Sequence, residues 1–299
     1  MAASGNIVLY GSGLFGRNTQ AKNAAQLTAL QQSGFTTVIL WTLHVDPDGT
    51  LSYNDAVIVE NGVFAATFSY LPDLVNQLTT GSSVQNVLFC IGSGEVNDFT
   101  NIQALLATDA GKLTLNRNFH ALSSALPING YDFDDEDLYD ADTIANLSTM
   151  LCDNNQMIIT YCPYAEQSTW NAAVQKVYTW DQEQYPPLGQ SVQWWNLQCY
   201  SGGAGNDPAQ WVQQLPSNAG ITDPASYIIP GYDASLQDPT SIEQTFQGLA
   251  QSDPGIAGGF LWNSSAIFAS QYTPHDYAQA IINGLGLGQS ALARRAAAR

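Results

Sequence analysis

The stretch INGYDFDDEDLYD, residues 128–140, alternates apolar and acidic side chains with a period of two. Successive side chains of an extended strand point to opposite faces, so Asp132, Asp134 and Glu136 share one face while Phe133 and Asp135 turn to the other. A solvated acidic loop gives no reason for Tyr131 and Phe133 to be interleaved with carboxylates in this way. The run reads as a strand that leaves its sheet carrying three carboxylates side by side.

Seven more apolar, β-rich runs surround it. Upstream lie NIVLY (6–10), TTVILWTLHV (36–45) and VQNVLFCIG (84–92); downstream lie QMIITYC (156–162), VQWWNLQCY (192–200), SYIIPGYD (226–233) and IAGGFLW (256–262). Helical patterns alternate with them, such as AKNAAQLTALQQSG (21–34), where Gly34 stands at the stop position, and ADTIANLSTMLCDN (141–154). Strands that are nearly continuous in apolar residues and separated by helices belong to parallel sheets covered on both faces. Eight of them predict an α/β fold, a single-domain (β/α)8 TIM barrel over residues 1–288. Residues 289–299, with three of the five arginines, read as a helical or disordered tail outside it. DPDGTLSYNDAVIVENG (46–62) breaks the alternation and predicts a small hairpin excursion. GSGLFG (11–16) has the glycine spacing of a dinucleotide fingerprint, but no acidic residue closes the second strand as that site requires.

The charge balance narrows the partners. Twenty-six acidic residues against eight basic ones give a net charge of −18, a field that repels nucleic acid and anionic membrane surfaces and tolerates a neutral polysaccharide. No apolar run approaches the roughly 20 residues that span a bilayer. Cys90, Cys152, Cys162 and Cys199 show no metal-binding spacing and read as buried free thiols, with one disulfide left open should two strand-end cysteines face each other. The start, MAASGNIVLY, lacks the apolar core of a signal peptide, which fits an intracellular chain or a mature secreted one.

In a barrel of this kind the chemistry sits at the carboxyl ends of the strands. Three close carboxylates cannot all ionise in a partly dry cleft, so at least one keeps its proton near neutrality. Glu136, outermost in the row, is the natural general acid. The spacing lacks the glycine and distal glutamate of a calcium loop, and His44 and His120 read as core or surface residues, so neither a metal nor a cofactor is expected.

A D-x-D-x-E run closing the fourth strand of a (β/α)8 barrel resembles the family 18 glycoside hydrolases, which include chitinases and endo-β-N-acetylglucosaminidases. CIGSG (90–94) is similar to a weakened form of that family's third-strand signature. LQCYSGG (197–203) resembles its sixth-strand tyrosine motif, and GGFLWNSS (258–265) its eighth-strand tryptophan. The resemblance implies substrate-assisted retaining cleavage of β-1,4-linked N-acetylglucosamine glycans. In it Glu136 protonates the glycosidic oxygen, Asp134 holds the substrate's acetamido group, Asp132 tunes Asp134, and Tyr200 bonds the acetamido oxygen. Trp262 would form the floor under the sugar, with Gln198, Tyr232 and Trp41 as further substrate-binding candidates.

The sequence departs from the pattern at Asp135, where an aromatic is common, and at Asn129, where an aspartate leads the longer motif. The added charge of Asp135 is expected to disturb the acid's pKa or a subsite. Only a short helical stretch, SIEQTFQGLAQ (241–251), separates the last two strands. The resemblance therefore implies a chain without the α+β insertion domain of some chitinases, and an open groove suited to endo cleavage. The expected partner is an N-acetylglucosamine polymer or oligosaccharide, N-glycan cores included, met by an extracellular monomer. Folds of this type also serve as non-catalytic lectins and inhibitors once the acid is lost; the presence of Glu136 favours catalysis.

Overall fold

Both faces of NIVLY are buried, and they are buried in different places. Val8 and Tyr10 join one apolar cluster, Ile7 and Leu9 a second and larger one. The same division repeats in the other long strands: Ile39, Leu88, Cys90, Trp194, Ile229 and Phe260 lie with Val8 and Tyr10, whereas Val38, Leu40, Phe89, Trp195 and Leu261 join the larger cluster. A sheet with an apolar interior on one side and a helix layer on the other must curl, and this one closes.

The structure is a computed structural model and describes residues 5–17, 19–155, 157–184 and 190–287. Gln156, where the fifth run was expected to begin, and the tail at 289–299 lie outside the described residues. In chain order come β1 (Asn6–Ser12), α1 (Gln20–Gln31), β2 (Thr37–Val45), then β3 (Leu51–Tyr53), β4 (Ala56–Glu60) and β5 (Val63–Phe64). Next are α2 (Leu71–Thr79), β6 (Asn86–Ile91), α3 (Asp98–Leu106), α4 (Asp109–Ala125), β7 (Gly130–Phe133), α5 (Ala141–Asn155), β8 (Ile158–Tyr161) and α6 (Gln167–Glu183). The chain continues through β9 (Val192–Gln198), α7 (Pro208–Gln213), α8 (Pro224–Tyr227), β10 (Ile228–Asp233), α9 (Pro239–Ser252), β11 (Gly258–Trp262), α10 (Ser264–Ala269) and α11 (Pro274–Gly284).

Eight strands, β1, β2, β6, β7, β8, β9, β10 and β11, pair in parallel in that circular order, and β1 bonds both β2 and β11, which closes the ring. The single-domain (β/α)8 barrel expected from the sequence is what forms. DPDGTLSYNDAVIVENG is the expected excursion. Its strands β3, β4 and β5 continue antiparallel from the far end of β2, and Asn54 and Asp55 turn the β3–β4 corner with positive φ. One helix, α9, lies between β10 and β11, so no domain is inserted there.

The strands differ from the expected runs mainly at their ends. SYIIPGYD was read as one strand, but Pro224–Tyr227 is a helical turn opened by a proline at its first position. Tyr200 lies two residues beyond β9, where the chain leaves the barrel. Gly34 takes φ +97° after α1, a left-handed conformation that suits glycine.

Candidate active site

Asp132 is the innermost carboxylate of the row, fully buried at 0 % exposure. It is saturated with donors: Tyr10 Oη at 2.7 Å on Oδ2, and Thr160 Oγ1 at 2.5 Å and Asn196 Nδ2 at 2.9 Å on Oδ1. Each of these side chains points inward from a different strand, β1, β8 and β9. Burial pushes the Asp132 carboxyl above its usual range, and the three hydrogen bonds pull it back. The two carboxylate oxygens of Asp132 accept all three bonds, so the network fixes its orientation.

Asp134, two residues on and 4 % exposed, has a poorer environment. Burial first, then the negative charges of Glu136 and Asp132, hold its carboxyl well above the usual carboxylate range. Gln198 on β9 spans the pair: its Nε2 donates to Asp134 Oδ1 at 3.0 Å and to Glu136 Oε1 at 2.9 Å. Glu136 is only partly buried and stands where the row meets solvent. The arrangement is a buried anchored carboxylate, a buried neighbour whose carboxyl is held above its usual range, and an accessible third group at the open end.

Asp135 does not face this row. It is 2 % exposed and accepts backbone N–H bonds from Leu138 and Tyr139 at 2.9 Å and from Asp137 at 3.3 Å. Its carboxylate staples the loop after β7, and Tyr139 closes that loop at φ +51°. The glycines of CIGSG have a mechanical reason. A Cβ on Gly92, which takes φ +93°, would strike Asp134 O at 2.4 Å, and one on Gly94 would stand 2.9 Å from Glu136 Oε2.

Aromatic rings form the opposite wall. Trp262, at the end of β11, meets Trp41 edge-on at 4.7 Å and Tyr10 at 5.9 Å between centroids. Tyr200 lies parallel to it at 6.5 Å, with an interplanar angle of 15°. The Tyr200 hydroxyl is pushed far above its usual pKa by burial and by nearby groups that include Asp134 and Glu136, so it stays a hydrogen-bond donor. In the circular strand order β11 is diametrically opposite β7, which puts Trp262 across the mouth from the carboxylates.

Solved structures share this architecture. A GH18 chitinase from Pseudoalteromonas aurantia aligns with a TM-score of 0.64 at 15% identity, covering 93% of this chain and 99% of its own. A fungal endo-β-N-acetylglucosaminidase of glycosyl hydrolase family 18 aligns at 0.60 and 18% identity, covering 94% and 97%. The chain has the fold of the family 18 glycoside hydrolases. A chitinase-like agglutinin from Robinia pseudoacacia has it too, at a TM-score of 0.59 and 12% identity, covering 92% and 98%. No protein-family model and no curated protein matches the sequence.

On this family 18 fold, Asp132, Asp134, Glu136, Gln198, Tyr200, Trp262 and Trp41 gather at one end of the barrel. Tyr232 does not join them. It lies on the outer face of β10, edge-on to Phe246 of α9 at 5.5 Å, so its expected part in substrate binding is corrected. The register explains it, because Gly231 rather than Tyr232 takes the inward position beside Phe260. Sequence reading missed Tyr10, Thr160 and Asn196, although a polar residue inside an apolar strand was a visible signal for the last two. Among the described residues no three His, Cys, Asp or Glu side chains converge to hold a metal ion.

Proposed function

We propose that the chain is a glycoside hydrolase that cleaves β-1,4 linkages of N-acetylglucosamine-containing glycans, chitin or chito-oligosaccharides, by substrate-assisted retaining catalysis. The observation that carries this reading is the graded row itself, with Asp132 anchored by three donors, Asp134 shifted toward its protonated form, and Glu136 reaching the open mouth. Glu136 gives its proton to the glycosidic oxygen as the bond to the anomeric carbon breaks. The acetamido oxygen of the same sugar attacks that carbon, so no enzyme nucleophile is required.

Asp134 bonds the acetamido nitrogen and favours the attacking geometry, while the Tyr200 hydroxyl donates to the acetamido oxygen. Glu136, now ionised, takes a proton from the water that opens the cyclic intermediate. Trp262 offers a flat apolar face to the C–H side of the sugar, and Trp41 braces its edge. A polymeric glycan of this class is met outside the cell, which is where the protein would act.

The test is product analysis with chito-oligosaccharides and with N-glycans that carry a chitobiose core, for wild type and Glu136→Gln. Cleavage by wild type alone supports the reading, and the substrate that is cut separates chitinase from endo-β-N-acetylglucosaminidase activity. Binding of these glycans without cleavage by wild type replaces it with a lectin role, as the name of the Robinia agglutinin illustrates for its own chain. Equal rates on chains deacetylated at the cleaved sugar would remove the substrate-assisted step.

A further inference from the structure

One of the two carboxyl oxygens of Glu136 is already engaged. Gln198 Nε2 lies 2.9 Å from Glu136 Oε1, 3.0 Å from Asp134 Oδ1 and 3.3 Å from the carbonyl oxygen of Cys162. An amide nitrogen donates and cannot accept, so Oε1 must present a lone pair to it. A proton on Oε1 would compete with that bond; a proton on Oε2 leaves it intact. Around Oε2 the chain supplies space: a Cβ built on Gly94 would meet Glu136 alone within 4 Å, with Oε2 at 2.9 Å. Gly94 does not take a positive φ, so its backbone gives no reason for glycine at that position.

We propose that Gln198 and Gly94 are positioning residues that decide which oxygen of Glu136 delivers the proton. Gln198 holds Oε1 as an acceptor beside Asp134, and the bare Gly94 leaves Oε2 the room to carry the proton to the leaving oxygen. This rests on the reading of Glu136 as the acid. It also leaves only the amide oxygen of Gln198 for a sugar contact, because its N–H groups are committed to the carboxylates and to Cys162.

The experiment compares wild type, Gln198→Met and Gly94→Ala, each checked by thermal melting. It measures kcat and KM against pH on a chito-oligosaccharide, and the titration of Glu136 by carbon NMR in the full-length protein. Removing the donor is expected to lower kcat about tenfold or more with KM little changed, and to move the Glu136 titration and the alkaline limb of kcat upward. Gly94→Ala is expected to lower kcat while leaving the titration near that of wild type, since the Gln198 bond survives. Gln198→Met that raises KM with kcat preserved would make Gln198 a sugar contact and overturn the proposal. So would Gly94→Ala with wild-type kcat. If wild type cleaves no glycan, the hydrolase reading fails by itself, and an unmoved Glu136 titration in Gln198→Met then overturns the positioning role separately.

Discussion

Tyr10 and Asp132 are joined by a 2.7 Å hydrogen bond across 122 residues of sequence, and that bond ties the first strand of the barrel to the fourth. Tyr10 also touches Trp262 and Phe260 with its ring. One side chain thus connects the aromatic wall of the mouth to the deepest carboxylate. Its hydroxyl is held far above the ordinary tyrosine pKa by burial and by the charge of Asp132, so it acts as a donor throughout the physiological range.

Tyr10→Phe keeps the ring and removes the donor. Asp132 then stands buried with two donors in place of three, and loss of a hydrogen bond to a buried charge costs about 1.5–3 kcal/mol. Thermal or urea unfolding should show a destabilisation of that order. A variant with wild-type stability would mean that water or Thr160 replaces the hydroxyl at no cost.

The row of carboxylates was legible in the sequence because strand periodicity needs no tertiary information: Asp132 on β7 and Asp134 just past its end alternate with Tyr131 and Phe133, the strand itself stopping at Phe133, short of the expected 134. Eight apolar runs separated by helices gave the barrel for the same reason. The partners of Asp132 were not legible, because Tyr10, Thr160 and Asn196 come from three other strands whose registers pairing alone sets. Tyr232 shows the cost of an uncertain register. A one-residue difference along β10 exchanges the inward and outward faces, and the inward position went to Gly231. Asp135 was visible as a departure from a pattern, but its three backbone partners depend on a loop conformation that no periodicity describes.

Those backbone partners make Asp135 a test of the loop. Asp135→Ala removes the acceptor of three N–H groups and should destabilise the protein by about 1–3 kcal/mol, with Glu136, the next residue, losing its fixed approach to the mouth. Asp135→Asn keeps an acceptor and should recover most of the stability. Melting curves and hydrolysis rates of the two variants, read together, check both effects.

Asp134 gives stability a pH dependence of defined sign. Its folded-state carboxyl is raised by burial, then by Glu136 and Asp132, so the folded chain holds this proton more tightly than the unfolded one. The resulting stabilisation is complete below the unfolded pKa near 4 and is lost as pH rises through the elevated folded value. Asp132 and Asp135 are shifted in the same direction. Melting temperature should therefore decline from mildly acidic toward alkaline pH, and Asp134→Asn should flatten the decline and raise stability on the alkaline side. In a domain of this size each kcal/mol corresponds to about 1.5–2 °C. A steeper decline in Asp134→Asn than in wild type would contradict the assignment.

The four cysteines are free and buried. Burial pushes the thiols of Cys152 and Cys199 up to about 12, and Cys90 and Cys162 are raised further by burial and by the negative charge of Asp134 and Asp132. Reaction with a disulfide reagent requires the thiolate. The native protein should release almost no chromophore at pH 8, and four equivalents once denatured. Prompt reaction of the native chain would show that the barrel interior opens to solvent on the time scale of the assay.

Trp262 and Tyr232 were both expected to meet the sugar, and they now separate. Trp262 faces the carboxylates across the mouth with Tyr200 parallel to it, whereas Tyr232 packs on Phe246 under the helix layer. Trp262→Ala deletes the platform and should weaken oligosaccharide binding by about 2 kcal/mol or more, roughly thirtyfold, measured by calorimetry on a Glu136→Gln background that prevents turnover. Trp41→Ala should weaken it less, since Trp41 acts through the edge of Trp262. Tyr232→Phe should leave affinity unchanged, because the outer face of β10 offers no route to the mouth. Equal losses from Trp262→Ala and Tyr232→Phe would place the sugar elsewhere on the barrel.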